Sequence, residues 1–389
     1  MRFSDTVEEQ RFRAELRAWL ADAVRRHWGD DPITEARQDV QRLRDWSRLL
    51  HQAGWIGITW PHEYGGRGLP QSCQNIFYEE LGRAGAPNHI NTIGLNFVAP
   101  TIIEWGDQDQ ARRFLPPLLS GDEIWCQGFS EPGAGSDLAN VRTRAVLDGE
   151  EWVVNGQKIW SSFAHLADMC ILVVRTEEDV PSHRALTFLL LDMRTPGVTV
   201  RPLTQLTGAA EFNEVFLDDV RIPVSRGLGE RGEGWRVIMT TLEHERGTLA
   251  MELAADFSRQ LDRAVTHLRD NATAVPDHHV RRGVADAWVL VQELRYTNYR
   301  FRTEAGETGS PGPKGSVAKI AWSEGHQRLT ALALESQGLA SVLNGASAAE
   351  SGYWQLERLR SRGNSIEGGT TEIQKNIIAE RVLGLPRGR

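Results

Sequence analysis

The sequence is poor in cysteine and has no long apolar run. Its 389 residues include only three cysteines, whose spacing matches neither a disulfide framework nor a metal site: Cys73, Cys126 and Cys170. This scarcity favours a reducing compartment, so we expect a cytoplasmic protein. No apolar run approaches the roughly 18 residues of a membrane span. The stretch "MRFSDTVEEQRFRAELRAWL" also has no apolar segment of a secretory signal.

Basic runs and common nucleotide-binding motifs are also missing. The net charge of −8 argues against nucleic acid as a partner. No G-x-G-x-x-G stretch opens a helix after a strand, and no G-x-x-x-x-G-K-[ST] stretch occurs. A nucleotide cofactor would therefore need another kind of site. The length predicts two or three domains, and 40% hydrophobic with 25% charged residues is typical of a globular protein.

The apolar pattern changes twice along the chain. Residues 1–121 show helical spacing in "EEQRFRAELRAWLADAVRRHW", "VQRLRDWSRLLHQAGW" and "CQNIFYEELGRAG". Residues 122–230 read as short alternating strands, with Asp148-Gly149 and Asn155-Gly156 predicting hairpin turns. Residues 231–389 return to helical spacing. We therefore predict an α+β protein with an all-helical amino-terminal domain, a central antiparallel β domain and a carboxyl-terminal helical bundle.

Two stretches of the predicted β domain contain residues suited to binding. In "CQGFSEPGAGSD", Gly133 and Gly135 would let the backbone approach a ligand, and Ser136 and Asp137 offer polar contacts. By composition alone, a plain turn explains this stretch equally well. In "NGQKIWSSFAHLADM", a tryptophan followed by two serines could stack on a flat ring and bind its polar edge. The alternative is a buried structural tryptophan.

A third stretch, "GGTTEIQK", predicts the start of a helix. Thr371 and Gln374 fit the T-x-x-Q capping box. The free N–H groups and the positive dipole end of such a helix suit a phosphate group.

The order and spacing of these stretches resemble those of the acyl-CoA dehydrogenase flavoproteins, over the whole chain. "YEELGRAGAP", "GDQDQARRFLPPLLSGDEIWCQGF" and "GGTTEIQKNIIAERVLGLPR" strengthen the resemblance. It implies a helical domain, a β domain and a carboxyl-terminal four-helix bundle, with FAD between the last two. It also implies that a carboxylate removes the α-proton of an acyl thioester while flavin N5 takes the β-hydrogen as hydride. Electrons would then leave to an electron-transfer flavoprotein.

The resemblance assigns the flavin and substrate contacts to numbered positions. Ser136 matches a serine that touches the thioester ligand. The flavin contacts fall on Gln127, Gly128, Phe129, Ser130, Trp160, Ser161, Ser162, Gly369, Thr370 and Glu372.

The catalytic base needs a separate argument. Many family members carry it in a "Y-E-G-T" stretch, but here Gly368 occupies the glutamate position and Glu367 the tyrosine position. A subset similar to isovaleryl- and long-chain acyl-CoA dehydrogenases has glycine there and takes the base from a bundle helix, just before an arginine. "TTLEHERGTLAMELA" places Glu245 before Arg246 in that way.

Helical spacing supports Glu245 independently of the resemblance. It lies at the edge of an apolar stripe formed by Trp235, Ile238, Met239, Leu242, Leu249 and Leu253. A carboxylate near a core is unusual unless it is paired or needed, and burial would raise its pKa toward that of a useful base. The alternative is an ion pair with an arginine from another helix. We expect Glu245 to be the base and Arg246 to orient it or the substrate.

Two motifs of the family are missing, and this leaves the assembly and the substrate open. The region matching "R-x-x-F-G" reads "LRDNATAVPDHHVRRG", and "G-G-x-G" is reduced to "ESQGLAS". We expect a homotetramer or a homodimer, with a heterotetramer as the alternative. Three functions compete: dehydrogenation of a branched or bulky acyl-CoA, the same chemistry on an acyl carrier protein, or a non-catalytic partner subunit. Glu245 and the two β-domain stretches count against the last.

Overall fold

The chain forms two compact units in a computed structural model. The model describes residues 4–29, 39–271, 277–305 and 312–387, with the backbone alone at 245–252, 271, 277 and 301–305. One unit, here called the helical unit, comprises Met1–Pro32, Gln71–Ala86 and Arg246–Arg389. The other, the sheet unit, comprises Ile33–Pro70 and Pro87–Glu245. In the described part of the chain, no helix has both the length and the apolar character needed to cross a membrane.

The helices follow the predicted spacing closely. The described α-helices are α1 (Val7–His27), α2 (Val40–Gln52), α3 (Gln71–Arg83), α4 (Ala99–Trp105), α5 (Gln108–Ser120), α6 (Gly234–Asn271), α7 (Asp277–Ala305), α8 (Gly315–Glu335), α9 (Tyr353–Arg360) and α10 (Thr371–Ile377). Two π-helical turns also occur, at Gly94–Val98 and Ile378–Val382. Short 3-10 turns lie at His62–Tyr64, Leu138–Asn140, Ser182–Arg184, Val224–Arg226, Gly312–Lys314, Gly338–Val342, Gly345–Ser347, Ala349–Gly352 and Gly363–Ser365.

Ion pairs connect helices α1 and α3 of the helical unit. Helix α1 begins with a capping box, in which Thr6 and Glu9 each accept a hydrogen bond from the other's backbone N–H. Further along α1, Arg13 and Arg17 both donate to the carboxylate of Glu80 on α3, at 2.9 and 2.7 Å. Glu80 is almost fully buried, so two guanidinium groups compensate its loss of water.

The core of the bundle is aromatic at its centre. Trp354 on α9 is fully buried, and Trp322 on α8 packs in the same cluster. Helix α6 contributes Phe257, Leu261 and Ala264 to this cluster. Burial of such large side chains is the dominant favourable contribution to holding helices together.

An eight-stranded sheet forms the centre of the sheet unit. Along its main path the order is β6-β7-β3-β2-β4-β5-β8, and β1 pairs with β4. The strands are β1 (Trp125–Gly128), β2 (Arg144–Asp148), β3 (Glu151–Ser162), β4 (Met169–Arg175), β5 (Leu186–Asp192), β6 (Val198–Leu203), β7 (Phe212–Pro223) and β8 (Gly227–Leu228). Most pairs are antiparallel, but β1 runs parallel to β4, and β2 meets β4 in parallel at one residue pair.

The order of helices, strands and helices agrees with the prediction from the sequence, and one of the two predicted hairpins is wrong. Asp148 pairs with Glu151 across the tight turn at Gly149, as predicted. Asn155-Gly156 is not a turn, because β3 continues through it with a shift of register against β7. The Asn155 side chain instead bonds Asp219 on β7, so the strand bulges where its sequence suggested a reversal.

The three cysteines are buried, and none of them forms a disulfide. Cys126 and Cys170 are distant in sequence but face each other across β1 and β4. Contact with Cys170, together with burial, raises the pKa of the Cys126 thiol.

No group of three or more histidine, cysteine, aspartate or glutamate side chains suited to a metal occurs among the described residues. The boundaries after residues 121 and 230 stay predictions.

Candidate active site

The first predicted contact stretch lies at the end of β1. Gln127 and Gly128 face Ile171 and Leu172 on β4. A Cβ at position 128 would lie 2.8 Å from Leu172 Cδ1, so any larger residue would require that side chain to move. Phe129 follows, with its ring edge-to-face against Phe188 at 5.8 Å between centroids. The Gln127 Nε2 atom is buried and has no hydrogen-bond partner in the part of the chain that the structure describes.

The second stretch ends β3 in a bulge. The pairing of β3 with β7 shifts register between Lys158 and Ser161, and Trp160 inside the bulge has φ of 62°. A bulky residue in this left-handed region is strained and needs support from its surroundings. Trp160 is 57% exposed, and its ring stands edge-to-face with that of Phe212 at 6.0 Å between centroids. The alternative of a buried structural tryptophan is therefore wrong.

The serines after Trp160 differ from each other. Ser161 is buried, and its carbonyl accepts a hydrogen bond from Asn213 Nδ2 at 3.0 Å. Its hydroxyl has no partner among the described residues. Ser162 is half-buried and pairs with Phe212 on β7. A buried hydroxyl without a partner is costly, so a ligand or a water molecule that bonds it would offset this cost.

A buried ion pair that the sequence analysis missed joins the two stretches. Lys158 is fully buried, and its Nζ donates to Glu131 Oε1 at 2.8 Å and to the Phe129 carbonyl at 3.1 Å. The carboxylate of Glu131 also accepts the backbone N–H groups of Arg142 and Thr143, at 2.6 and 2.8 Å. Both charged residues stand inside the two quoted stretches, but their pairing across 27 residues leaves no signal in either stretch alone.

The electrostatics of this pair follow from its burial. Burial lowers the pKa of the Lys158 ammonium to about 8, although the charge of Glu131 opposes the shift. Burial alone would raise the pKa of Glu131, but the charge and hydrogen bonds of Lys158 hold it below its usual value.

The glycine-rich turn after Glu131 is open to solvent. Glu131 and Ala134 exchange backbone hydrogen bonds of 3.0 Å across it. A Cβ at Gly133 or Gly135 would meet no atom within 4 Å, so neither glycine is needed for packing within the chain. Ser136, the predicted thioester contact, is exposed. The space beside these glycines is available to a ligand.

The carboxyl-terminal stretch belongs to the helical unit, and its helix begins one residue earlier than predicted. Thr370 is the N-cap of α10, with its hydroxyl accepting the N–H of Ile373. The predicted Thr371–Gln374 capping box is wrong, because Gln374 Nε2 instead donates to the Gly368 carbonyl at 2.7 Å. Gly369 has φ of 87°, which only glycine adopts readily, and this turn directs the chain into the cap. Glu372 lies in the first turn of α10.

The structure describes the side chain of only one of the two candidate bases. Glu367 is half-exposed, and both of its carboxylate oxygens accept hydrogen bonds from Arg360, at 3.0 and 2.9 Å. Glu245 and Arg246 lie on the helical backbone of α6, and their side chains are outside the described residues. The apolar stripe predicted beside them is only partly buried. Ile238 is fully buried, while Met239 and Leu242 are only half-buried.

The structure thus brings together the two β stretches and the turn of Ser136 in one unit. The contact positions Gly369, Thr370 and Glu372 lie in the other.

Comparison with known proteins identifies the family. The descriptions "Acyl-CoA dehydrogenase, N-terminal domain", "middle domain" and "C-terminal domain" match residues 6–122, 126–220 and 232–383. Acyl-CoA dehydrogenase IpdE1 of Mycobacterium tuberculosis is 42% identical over 385 residues, which cover 98% of this chain and 98% of that protein. Two solved structures align over 100% of both chains, each with a TM-score of 0.85. They are the Tcur3481-Tcur3483 steroid ACAD, at 31% identity, and the ChsE4-ChsE5 complex from Mycobacterium tuberculosis, at 32%.

These matches define an oxidoreductase that acts on CH–CH groups. The chain belongs to the acyl-CoA dehydrogenase family, and its cofactor is FAD. The residues of the sheet unit fit a flavin. Gln127 Nε2 and the Ser161 hydroxyl, which have no partner among the described residues, could bond a polar ring edge, and the exposed Trp160 could offer an aromatic face.

Proposed function

We propose that this enzyme oxidises the Cα–Cβ bond of a branched or bulky acyl-CoA to the 2,3-enoyl-CoA and passes the electrons to an electron-transfer flavoprotein. The observation that carries the proposal is the end of β3, where a strained, exposed Trp160 is followed by the buried Ser161 hydroxyl, which has no partner among the described residues. The bulky acyl group is supported by two neighbours that are about one-third identical, one of which is described as a steroid ACAD.

The proposed chemistry divides between the chain and its cofactor. When bound, FAD supplies the acceptor for the hydride that leaves the β-carbon. Glu245 accepts the proton from the α-carbon, which leaves the electron pair of that C–H bond to form the double bond. Arg246 orients the substrate or the base, and Ser136 contacts the thioester. The two hydrogen bonds that Glu367 accepts from Arg360 support Glu245 over Glu367 as the base.

The proposed flavin contacts keep the positions that the resemblance assigns. Those of the sheet unit are Gln127, Gly128, Phe129, Ser130, Trp160, Ser161 and Ser162. Those of the helical unit are Gly369, Thr370 and Glu372.

The proposed assembly is an oligomer in the cytoplasm. The altered "R-x-x-F-G" and "G-G-x-G" regions and the two-protein names of both structural neighbours favour a heterotetramer over a homotetramer or a homodimer. Buried cysteines that form no disulfide suit a reducing compartment.

Anaerobic titration with a panel of acyl thioesters tests the function. We expect branched or polycyclic acyl-CoA compounds to bleach the flavin at lower concentration than straight-chain ones. The same acyl groups on an acyl carrier protein form the second arm. If only the carrier-bound acyl groups bleach the flavin, the substrate is an acyl carrier protein thioester and not an acyl-CoA. A yellow protein that no thioester bleaches would indicate a non-catalytic partner subunit.

A further inference from the structure

We propose that the buried Glu131–Lys158 pair is a positioning device that sets the two flavin-contact stretches in register with each other. The inference rests on the proposed role of those stretches and adds two residues that neither touch the reacting atoms nor belong to the assigned contacts.

The first argument is the cost of the pair. Lys158 is 0% and Glu131 8% exposed, so both charges have lost nearly all their water. An apolar pair of similar volume often stabilises a fold as well as a buried ion pair or better. Stability alone therefore gives little reason for charges here. A buried ion pair instead fixes the orientation of the segments that carry its two side chains, because its hydrogen bonds are satisfied in one geometry only.

The second argument is what the pair holds. Lys158 Nζ bonds the Phe129 carbonyl, and the next N–H, that of Ile159, bonds the Ser130 carbonyl at 2.9 Å. Two successive residues of β3 thus hold two successive carbonyls that follow β1. These bonds lie immediately before Trp160 and Ser161, so they set where the indole and the partnerless hydroxyl stand relative to Gln127.

The third argument is the strain next to the pair. The bulge begins at Lys158, and Trp160 stays in the left-handed region although it is not glycine. Such a conformation persists only where neighbouring contacts over-determine it. Glu131 adds to this restraint because it also bonds the N–H groups of Arg142 and Thr143, which fixes the return of the chain into β2.

The test is a double variant in which both charges are removed and the volumes are kept. Glu131→Gln/Lys158→Met should fold, with a melting temperature of the FAD-free protein somewhat below that of wild type, because the introduced amide has one oxygen for the two backbone N–H groups of Arg142 and Thr143. Its FAD dissociation constant should rise about tenfold or more, since tenfold corresponds to roughly one positioned hydrogen bond. Its flavin circular dichroism in the visible range should also change, because that signal reports how the ring is held.

The matched control removes an exposed pair from the same sheet. Arg221 on β7 bonds Asp148 on β2 at 3.0 Å. Asp148→Asn/Arg221→Met should leave FAD affinity and the visible spectrum as in wild type.

Two results would overturn the proposal. One is a folded double variant with wild-type FAD affinity and an unchanged flavin spectrum. The other is a double variant that does not fold, since the pair would then serve the fold as a whole. Both readouts are independent of the acyl substrate. A wild-type protein that binds FAD but is bleached by no thioester would therefore contradict the proposed function and leave this inference testable.

Discussion

Two glutamates next to predicted flavin contacts each pair with a cation, but in opposite surroundings. Glu131 in the sheet unit meets Lys158 at 2.8 Å, and the side chains are 8% and 0% exposed. Glu367 in the helical unit meets Arg360 at 2.9 Å, and the side chains are 34% and 31% exposed. The bond lengths are nearly equal, so distance does not distinguish the two pairs.

Access to water does distinguish them. An exposed pair can exchange its partner for water and contributes little, whereas removing one member of a buried pair leaves an uncompensated charge. The glutamate that draws attention in the sequence, in "NSIEGGTTEIQK", is therefore the less consequential of the two. The one inside "SEPGAGSD" links three segments of the sheet unit.

The largest expected effect separates the two candidate bases. Glu245→Gln keeps shape and hydrogen bonding but cannot accept the α-proton. Since positioned base catalysis contributes roughly 100- to 10,000-fold, flavin reduction by substrate should slow by at least about 100-fold. FAD content should stay normal. Stopped-flow reduction measures this, with Glu367→Gln as the matched control that stays within a few-fold of wild type. An inactive Glu367→Gln enzyme together with an active Glu245→Gln enzyme would show that Glu367 is the base.

The next effect compares the two serines after Trp160. Ser161→Ala and Ser162→Ala should each weaken FAD binding about 2- to 10-fold, which corresponds to a lost hydrogen bond of roughly 0.5–1.5 kcal/mol. Ser161→Ala should not lower the melting temperature of the FAD-free protein, because its hydroxyl has no partner among the described residues. Fluorescence titration with FAD and thermal unfolding give both values. Unchanged affinity in both variants would show that neither hydroxyl contacts the flavin.

A smaller effect is expected for the exposed pair. Glu367→Gln loses a two-pronged contact with Arg360, so the free energy of unfolding should fall by about 1 kcal/mol or less. The loss should shrink at high salt, where exposed charges are screened. Denaturant unfolding at low and high salt checks both points. A loss of several kcal/mol that salt does not change would contradict the contrast with Glu131.

The last prediction is a pH dependence of the buried pair. The folded pKa of Lys158 is about 8, below the roughly 10.4 of an unfolded lysine. Between these values the unfolded chain binds a proton that the folded chain does not, so the contribution of Lys158 to stability rises with pH across this window. The melting temperature of wild type relative to Glu131→Gln/Lys158→Met should therefore shift in favour of wild type from pH 7 to pH 9. A constant difference would contradict the shifted pKa.

Local signals were reliable where one residue's neighbours in sequence decide its structure. The spacing in "EEQRFRAELRAWLADAVRRHW" predicted α1, and Asp148-Gly149 predicted its hairpin. The same kind of signal failed at Asn155-Gly156, where pairing with β7 outweighs the turn preference. It also failed by one residue at Thr371, because Gln374 turns back to a carbonyl instead of closing the capping box.

The sequence by itself determined the order of helices, strands and helices, the family and the positions that match its flavin contacts. These follow from periodicity and from short motifs, which are local. Only the tertiary structure decided that Trp160 is strained and exposed, that the Ser161 hydroxyl has no described partner, and that Glu131 and Lys158 meet across 27 residues. The reason is that strand register and burial are set by pairing between distant segments. A one-residue shift there changes which side chains face each other without changing the composition.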